Sequence, residues 1–175
     1  MKKALSLLII LVLLVPAIAL ASNVPFRLRN GYYWGMTVGQ ARKLAADEGL
    51  TERKVPSEDM LVYESVPLGD IFADSFSLKF SDTSQLQDIY YFLAPVQTED
   101  FLSCAQYIYL VEQLSKVYGD GLLVPEWDMT EWKTADTTIY LFWSSAYENG
   151  SRIENLYEYG IHYKASSNAI RNNGF

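Results

Sequence analysis

Two stretches of this chain are apolar on both sides at a spacing of two, and that pattern limits the folds open to it more than any other. In 86–94, Ile89, Tyr91 and Leu93 alternate with Tyr90 and Phe92. In 138–143, Ile139, Leu141 and Trp143 alternate with Tyr140 and Phe142. Successive side chains of a strand point to opposite faces, so each stretch is a strand that buries one face and still carries rings on the other. Helices can cover only one of those faces. The second must be covered by loops or another copy of the chain, or stand exposed as a contact surface.

Further strands surround these two. Residues 75–80 alternate strictly and place Phe76, Leu78 and Phe80 on one face, while 81–84 reads as a turn into 86–94. Residues 60–66 form another strand. The last strand, 153–163, follows 138–143 through a turn containing Asn149-Gly150. Two helices are interleaved. Thr37 with Gln40 makes a capping box, Met36 precedes it as a hydrophobic staple, and Val38, Ala41, Leu44 and Ala45 form an apolar stripe ending at Gly49, which predicts a helix over 37–48. Thr98 caps a second helix with Glu99 and Asp100 in its first turn. Cys104, Tyr107, Val111, Leu114 and Tyr118 share its apolar face and Gly119 ends it. Residues 120–136 read as a loop carrying Trp127 and Trp132.

The order is helix then strands, twice. The expected fold is therefore α+β: two tandem units of a helix plus antiparallel strands, 32–95 and 96–164, forming one sheet with the helices on one face. Residues 165–175 read as a flexible tail.

The N-terminus sets the compartment. Lys2 and Lys3 precede an apolar run, Pro16 interrupts it, and Ala19-Leu20-Ala21 is a small-x-small site, which together read as a signal peptide over 1–21. A membrane anchor needs about 20 apolar residues and the run from Ala4 to Ala21 comes close to that, but Pro16 and the Ala-x-Ala site fit removal better. No cysteine follows the cleavage site, so the product is secreted or periplasmic and not a lipoprotein, with no transmembrane anchor after processing. Removing Lys2 and Lys3 from 14 Lys and Arg leaves 12 against 21 Asp and Glu, a formal charge of about −9. That balance disfavours nucleic acid and anionic membranes, which need clustered cations. With Cys104 alone, no intramolecular disulfide can form, and 22–164 must be held by its core as a single domain. Thirteen tyrosines suit both a half-buried sheet and a contact surface.

Trp34-Gly35-Met36-Thr37, the helix with Gln40 and Gly49, the Leu114…Tyr118-Gly119 segment, and Trp132 with Thr137-Thr138-Ile139 resemble a bacterial exported family that opens with W-G-M-S/T-x-x-x-V. Ala41 stands where that pattern has Val. Its wider relatives look like the beta-lactamase inhibitory protein and the small outer-membrane lipoprotein of the barrel assembly machinery. The resemblance implies helices packed on an antiparallel sheet, with the uncovered sheet face binding another protein, and it implies no catalytic residues.

The chemical candidates are sparse. His162 is the only histidine and Cys104 falls on an apolar helix face, so neither has the partners a nucleophile or metal needs. Glu126, Asp128, Glu131 and Asp136 match no calcium-loop spacing and read as a solvated loop. No catalytic residue, cofactor site or metal site is expected. The reading is a non-enzymatic secreted binding module whose partner is another protein or a second copy of itself. Its candidate contacts are Tyr90, Phe92, Tyr140, Phe142, Trp127 and Trp132. Two alternatives stand beside it: a carbohydrate-binding or carbohydrate-acting domain built on Trp127, Trp132 and Trp143 with the nearby acids, and a self-associating envelope protein.

Overall fold

A computed structural model describes residues 28–29, 31–167 and 169. The expected signal peptide, 1–21, lies outside these residues. Among them are two α-helices and one eight-stranded antiparallel sheet, an α+β arrangement. Helix α1 spans Val38–Asp47 and is followed by β1 (Glu52–Arg53), β2 (Met60–Leu68), β3 (Ile71–Phe80) and β4 (Leu86–Gln97). Helix α2 spans Ala105–Tyr118 and is followed by β5 (Leu122–Val124), β6 (Met129–Lys133), β7 (Thr137–Glu148) and β8 (Ser151–Ala165). The sheet order is β1-β2-β3-β4-β8-β7-β6-β5, so the last strand of each series meets the other at the centre.

Local chemistry explains most boundaries. The Thr37 hydroxyl accepts from the Gln40 amide and the Gln40 side chain accepts from the Thr37 amide, closing the expected capping box. At the other end Gly49, with φ of +75°, sends its amide to Ala46 while Leu50 reaches Ala45, a pairing that uses glycine's access to left-handed backbone. Asn149 and Gly150 both have positive φ, +51° and +80°, which matches the twist of the β7–β8 hairpin.

Several boundaries differ from the sequence reading. The second helix starts later than Thr98: residues Phe101–Ser103 form a 3₁₀ turn capped by Asp100, and Cys104 is the N-cap of α2, its sulfur accepting from the Tyr107 amide at 3.4 Å. Phe101 explains the break. It is 2 % exposed and stacks on Trp143 with ring centroids 5.4 Å apart, with Tyr159 5.3 Å away. The supposed loop 120–136 contains β5 and β6. Part of the expected tail is also ordered. Ala165 belongs to β8, the Ser166 amide donates to Asp136, and Ala169 is buried, while 168 and 170–175 lie outside the described residues.

One face of the sheet builds the core. Tyr63, Phe76, Tyr91, Ile161 and Leu141 lie in register across β2, β3, β4, β8 and β7, with Leu61, Leu78, Ile89, Tyr163, Ile139 and Trp132 in the next row. These side chains join Ala41 and Ala45 of α1 and Leu110 and Leu114 of α2 in one buried cluster. Each fully buried large side chain contributes about 1.5–3 kcal/mol. Trp34 ties the lead-in segment to the far end of the chain: its indole N–H donates to Thr137 Oγ1 at 2.8 Å. Gly35 and Leu86, together with Met36, exchange backbone hydrogen bonds of 2.9 Å, anchoring the start of α1 to the start of β4. The Trp-Gly-Met-Thr segment is thus a structural clamp.

Candidate functional site

The same alternation that fills the core leaves a second set of rings on the opposite face. Register places Val62, Ser77, Tyr90, His162, Tyr140, Glu131 and Leu122 in one row across β2, β3, β4, β8, β7, β6 and β5. The adjacent row runs Glu64, Ser75, Phe92, Gly160, Phe142, Met129 and Val124. Five aromatic rings meet there. Tyr90 stacks on His162 at 4.1 Å between centroids and lies 5.9 Å from Phe92, nearly parallel. Phe92 meets Phe142 edge to face at 5.8 Å, and Tyr140 lies 5.4 Å from His162. Each such pair adds about 0.5–1.5 kcal/mol beyond area burial, so the cluster is held in place before anything binds.

Gly160 makes room for this arrangement. A Cβ built there would lie 2.3 Å from the Tyr91 carbonyl oxygen and 2.8 Å from the Phe142 ring. The missing side chain therefore lets Phe142 lie across β8 toward Phe92, an aromatic covering the gap that a strand glycine leaves.

Electrostatics frames the rings. His162 Nε2 lies 2.7 Å from Asp88 Oδ1, with side-chain exposures of 16 % and 12 %. Asp88 belongs to the next row, with Met60, Lys79, Lys164, Thr138 and Lys133, so three lysines border the aromatic cluster on one side. Burial pushes the Tyr90 hydroxyl up, with nearby Asp88 adding to the effect, and burial does the same for Tyr140, with Glu131 next. Both phenols are therefore neutral donors at physiological pH. Ser77 is buried in the same row as His162 but two strands away. At about 4.8 Å per strand its backbone is about 10 Å off, beyond hydrogen-bond reach of the imidazole.

The predicted contact residues divide. Tyr90, Phe92, Tyr140 and Phe142 come together on the face opposite the helices; Phe92 is 41 % exposed and the other three are half-buried. Trp127 is 72 % exposed but sits apart, on a 3₁₀ turn after β5. Trp132 is a correction. It lies on β6 with 2 % exposure, facing the core, and its indole N–H donates to the Gly119 carbonyl at the end of α2. Trp143 is likewise on the core face. The three tryptophans therefore build no common sugar platform. The acids of 126–136 also diverge: Glu131 pairs with Lys133 at 2.7 Å, and Asp136 accepts from the Thr134 and Thr137 hydroxyls. Among the described residues no group of three or more His, Cys, Asp or Glu side chains converges as metal ligands. His162 joins this face as a contact that the sequence alone does not reveal; it shares the even-numbered register of Tyr90 and Tyr140, a signal hidden until strand pairing is known.

Two concavities are formed by the described residues. A groove of about 120 Å³ beside α2, lined by Ile71, Phe72, Leu93 and Tyr109 among others, is small beside the 300–1,000 Å³ of sites that enclose small molecules. An open recess of about 490 Å³ near the end of α2 is lined by Leu28, Tyr118, Thr134 and Asp136, and its one carboxylate is already engaged by hydroxyls. No family model, no curated protein and no solved structure matches this chain.

Proposed function

We propose that this protein is an exported binding module that docks another protein on the sheet face opposite its helices. The single observation that carries the reading is the contiguous ring cluster of Tyr90, Phe92, Tyr140, Phe142 and His162 on that face. Interface hot spots are enriched in aromatics that are held rigidly and only partly solvated, and these rings are both. The lysine row of Lys79, Lys164 and Lys133 supports a partner whose apolar contact is bordered by carboxylates. The N-terminal signal-like segment supports export. Two tandem units, α1 with β1–β4 and α2 with β5–β8, are our reading of the chain order. The sheet order supports it, since it runs up through the first four strands and back down through the last four.

The test compares the purified protein with Tyr90→Ala/Phe92→Ala, after circular dichroism has shown both folded. Each is run in light scattering alone and after mixing with an envelope extract; any protein captured is identified, purified and bound again. The expected result is a monomer that forms a defined complex, lost in the double variant. A complex formed equally by both proteins places the docking surface elsewhere and refutes the proposal. A stable dimer of the protein alone, lost in the variant, means the face is spent on a second copy.

A further inference from the structure

The two ends of the sheet are built differently. At one end β1 is two residues long and charged, with Glu52 held by Arg42 at 2.8 Å and Arg53 near Glu64 at 3.3 Å. Short, charged edge strands of this kind resist the addition of another strand. At the other end β5 is uncharged: Leu122 is 64 % exposed, Leu123 41 %, and Val124 half-buried. It is bonded to β6 on one side and is the last strand of the sheet on the other. Trp127, 72 % exposed, follows on the adjoining turn.

An open, apolar edge is a template for strand addition, in which main-chain hydrogen bonds supply affinity and alternate side chains supply specificity. Charge selects the occupant. From Gly119 to Trp132 the chain carries Asp120, Glu126, Asp128 and Glu131 and neither Lys nor Arg. Glu131 is engaged by Lys133, while Asp120, Glu126 and Asp128 are exposed. A second copy would bring the same acids against their twins, in a chain of formal charge −7. We propose that the β5 edge accepts an extended segment of another protein in which apolar residues alternate with Lys or Arg. Leu122 stands in the row of Tyr90, His162 and Tyr140, so a strand added beside it continues the ring-bearing face outward. Because β5 offers only three residues of backbone, the contacts to Leu122, Trp127 and the flanking carboxylates must supply much of the discrimination.

The probe is a nine-residue capped peptide, Lys-Val-Thr-Val-Lys-Val-Thr-Val-Lys, compared with the same peptide carrying Glu for Lys. Binding is read by amide chemical shifts of the full chain and by tryptophan fluorescence. The expected result is saturable binding that perturbs the amides of 122–124, weakens at least tenfold with the Glu peptide, and falls with added salt. Leu122→Lys/Glu126→Lys, at two exposed positions, removes it, while Phe92→Ala leaves it unchanged, so the edge and the ring face fail or stand separately. No saturable binding, equal binding of both peptides, or perturbation elsewhere overturns the proposal. So does a concentration-dependent dimer that Leu122→Lys abolishes, since it makes a second copy the occupant.

Discussion

At the scale of single residues, Gly160 decides whether the ring face exists. The Cβ of an alanine would meet the Tyr91 carbonyl at 2.3 Å, and that oxygen belongs to a central strand that cannot retreat without breaking the β4–β8 pairing. Gly160→Ala is therefore expected to destabilise the protein by about 2–3 kcal/mol, the upper range for overpacking, although alanine is normally the better strand residue. Urea denaturation checks this; a loss under about 0.5 kcal/mol would mean the strands can part there. In the sequence Gly160 is only a glycine in a strand pattern, because its partners Tyr91 and Phe142 are supplied by other strands. Trp34 was legible as a motif but not as a clamp, since its hydrogen-bond partner Thr137 is 103 residues away. Trp132 misled for a related reason: a tryptophan among acids reads as surface until β6 is paired and turns it inward.

At the scale of elements, helix ends and long strands were readable because their causes are local. The box at Thr37 and Gln40 lies within one turn, and the alternation of 75–80 is a property of that segment alone. Thr37→Ala is expected to cost about 1 kcal/mol, lowering the thermal midpoint by a few degrees without changing the amplitude of the transition, as measured by circular dichroism. Strands β5 and β6 escaped because they are three and five residues long and are separated by Pro125 and a left-handed Asp128. β5 pairs with β6 and β6 with β7, and no local pattern announces either pairing. The late start of α2 has the same origin. Thr98 is a good cap by composition, but Phe101 gains more by entering the aromatic nest of Trp143 and Tyr159 than by continuing a helix.

At the scale of the whole molecule, the sheet divides its aromatics between a core face and an outer ring-bearing face, and each has a test. The core face governs alkaline stability. Burial raises the phenols of Tyr91 and Tyr163 well above 10, their ordinary value, raises Tyr32 as well, and pushes Tyr63 up to about 12. A folded-state value above the unfolded one contributes stability that is complete below the unfolded value and is lost as pH rises through it toward the folded one. Stability should hold to about pH 10 and then fall steeply, with these tyrosines ionising only as the fold melts. With tyrosinate absorbance and ellipticity followed in parallel, the share of the absorbance change that belongs to these buried rings should appear together with the loss of ellipticity; ionisation of all thirteen tyrosines ahead of unfolding would contradict the burial described here.

The outer ring-bearing face was half legible. The sequence shows two strands apolar on both sides and so requires a second ring-bearing surface, but it does not say which set faces the helices or that His162 joins it. Strand pairing assigns Ile89, Tyr91, Leu93, Ile139, Leu141 and Trp143 to the core and leaves Tyr90, Phe92, Tyr140 and Phe142 outside. The most direct measurement is calorimetric titration of the captured and purified partner into the wild-type protein and into Phe92→Ser. Phe92 is the most exposed ring of the cluster, so its loss leaves the core untouched. The account predicts affinity weakened at least thirtyfold, about 2 kcal/mol, with the fold unchanged. Equal affinity for the two proteins would contradict it and place the docking surface elsewhere on the molecule.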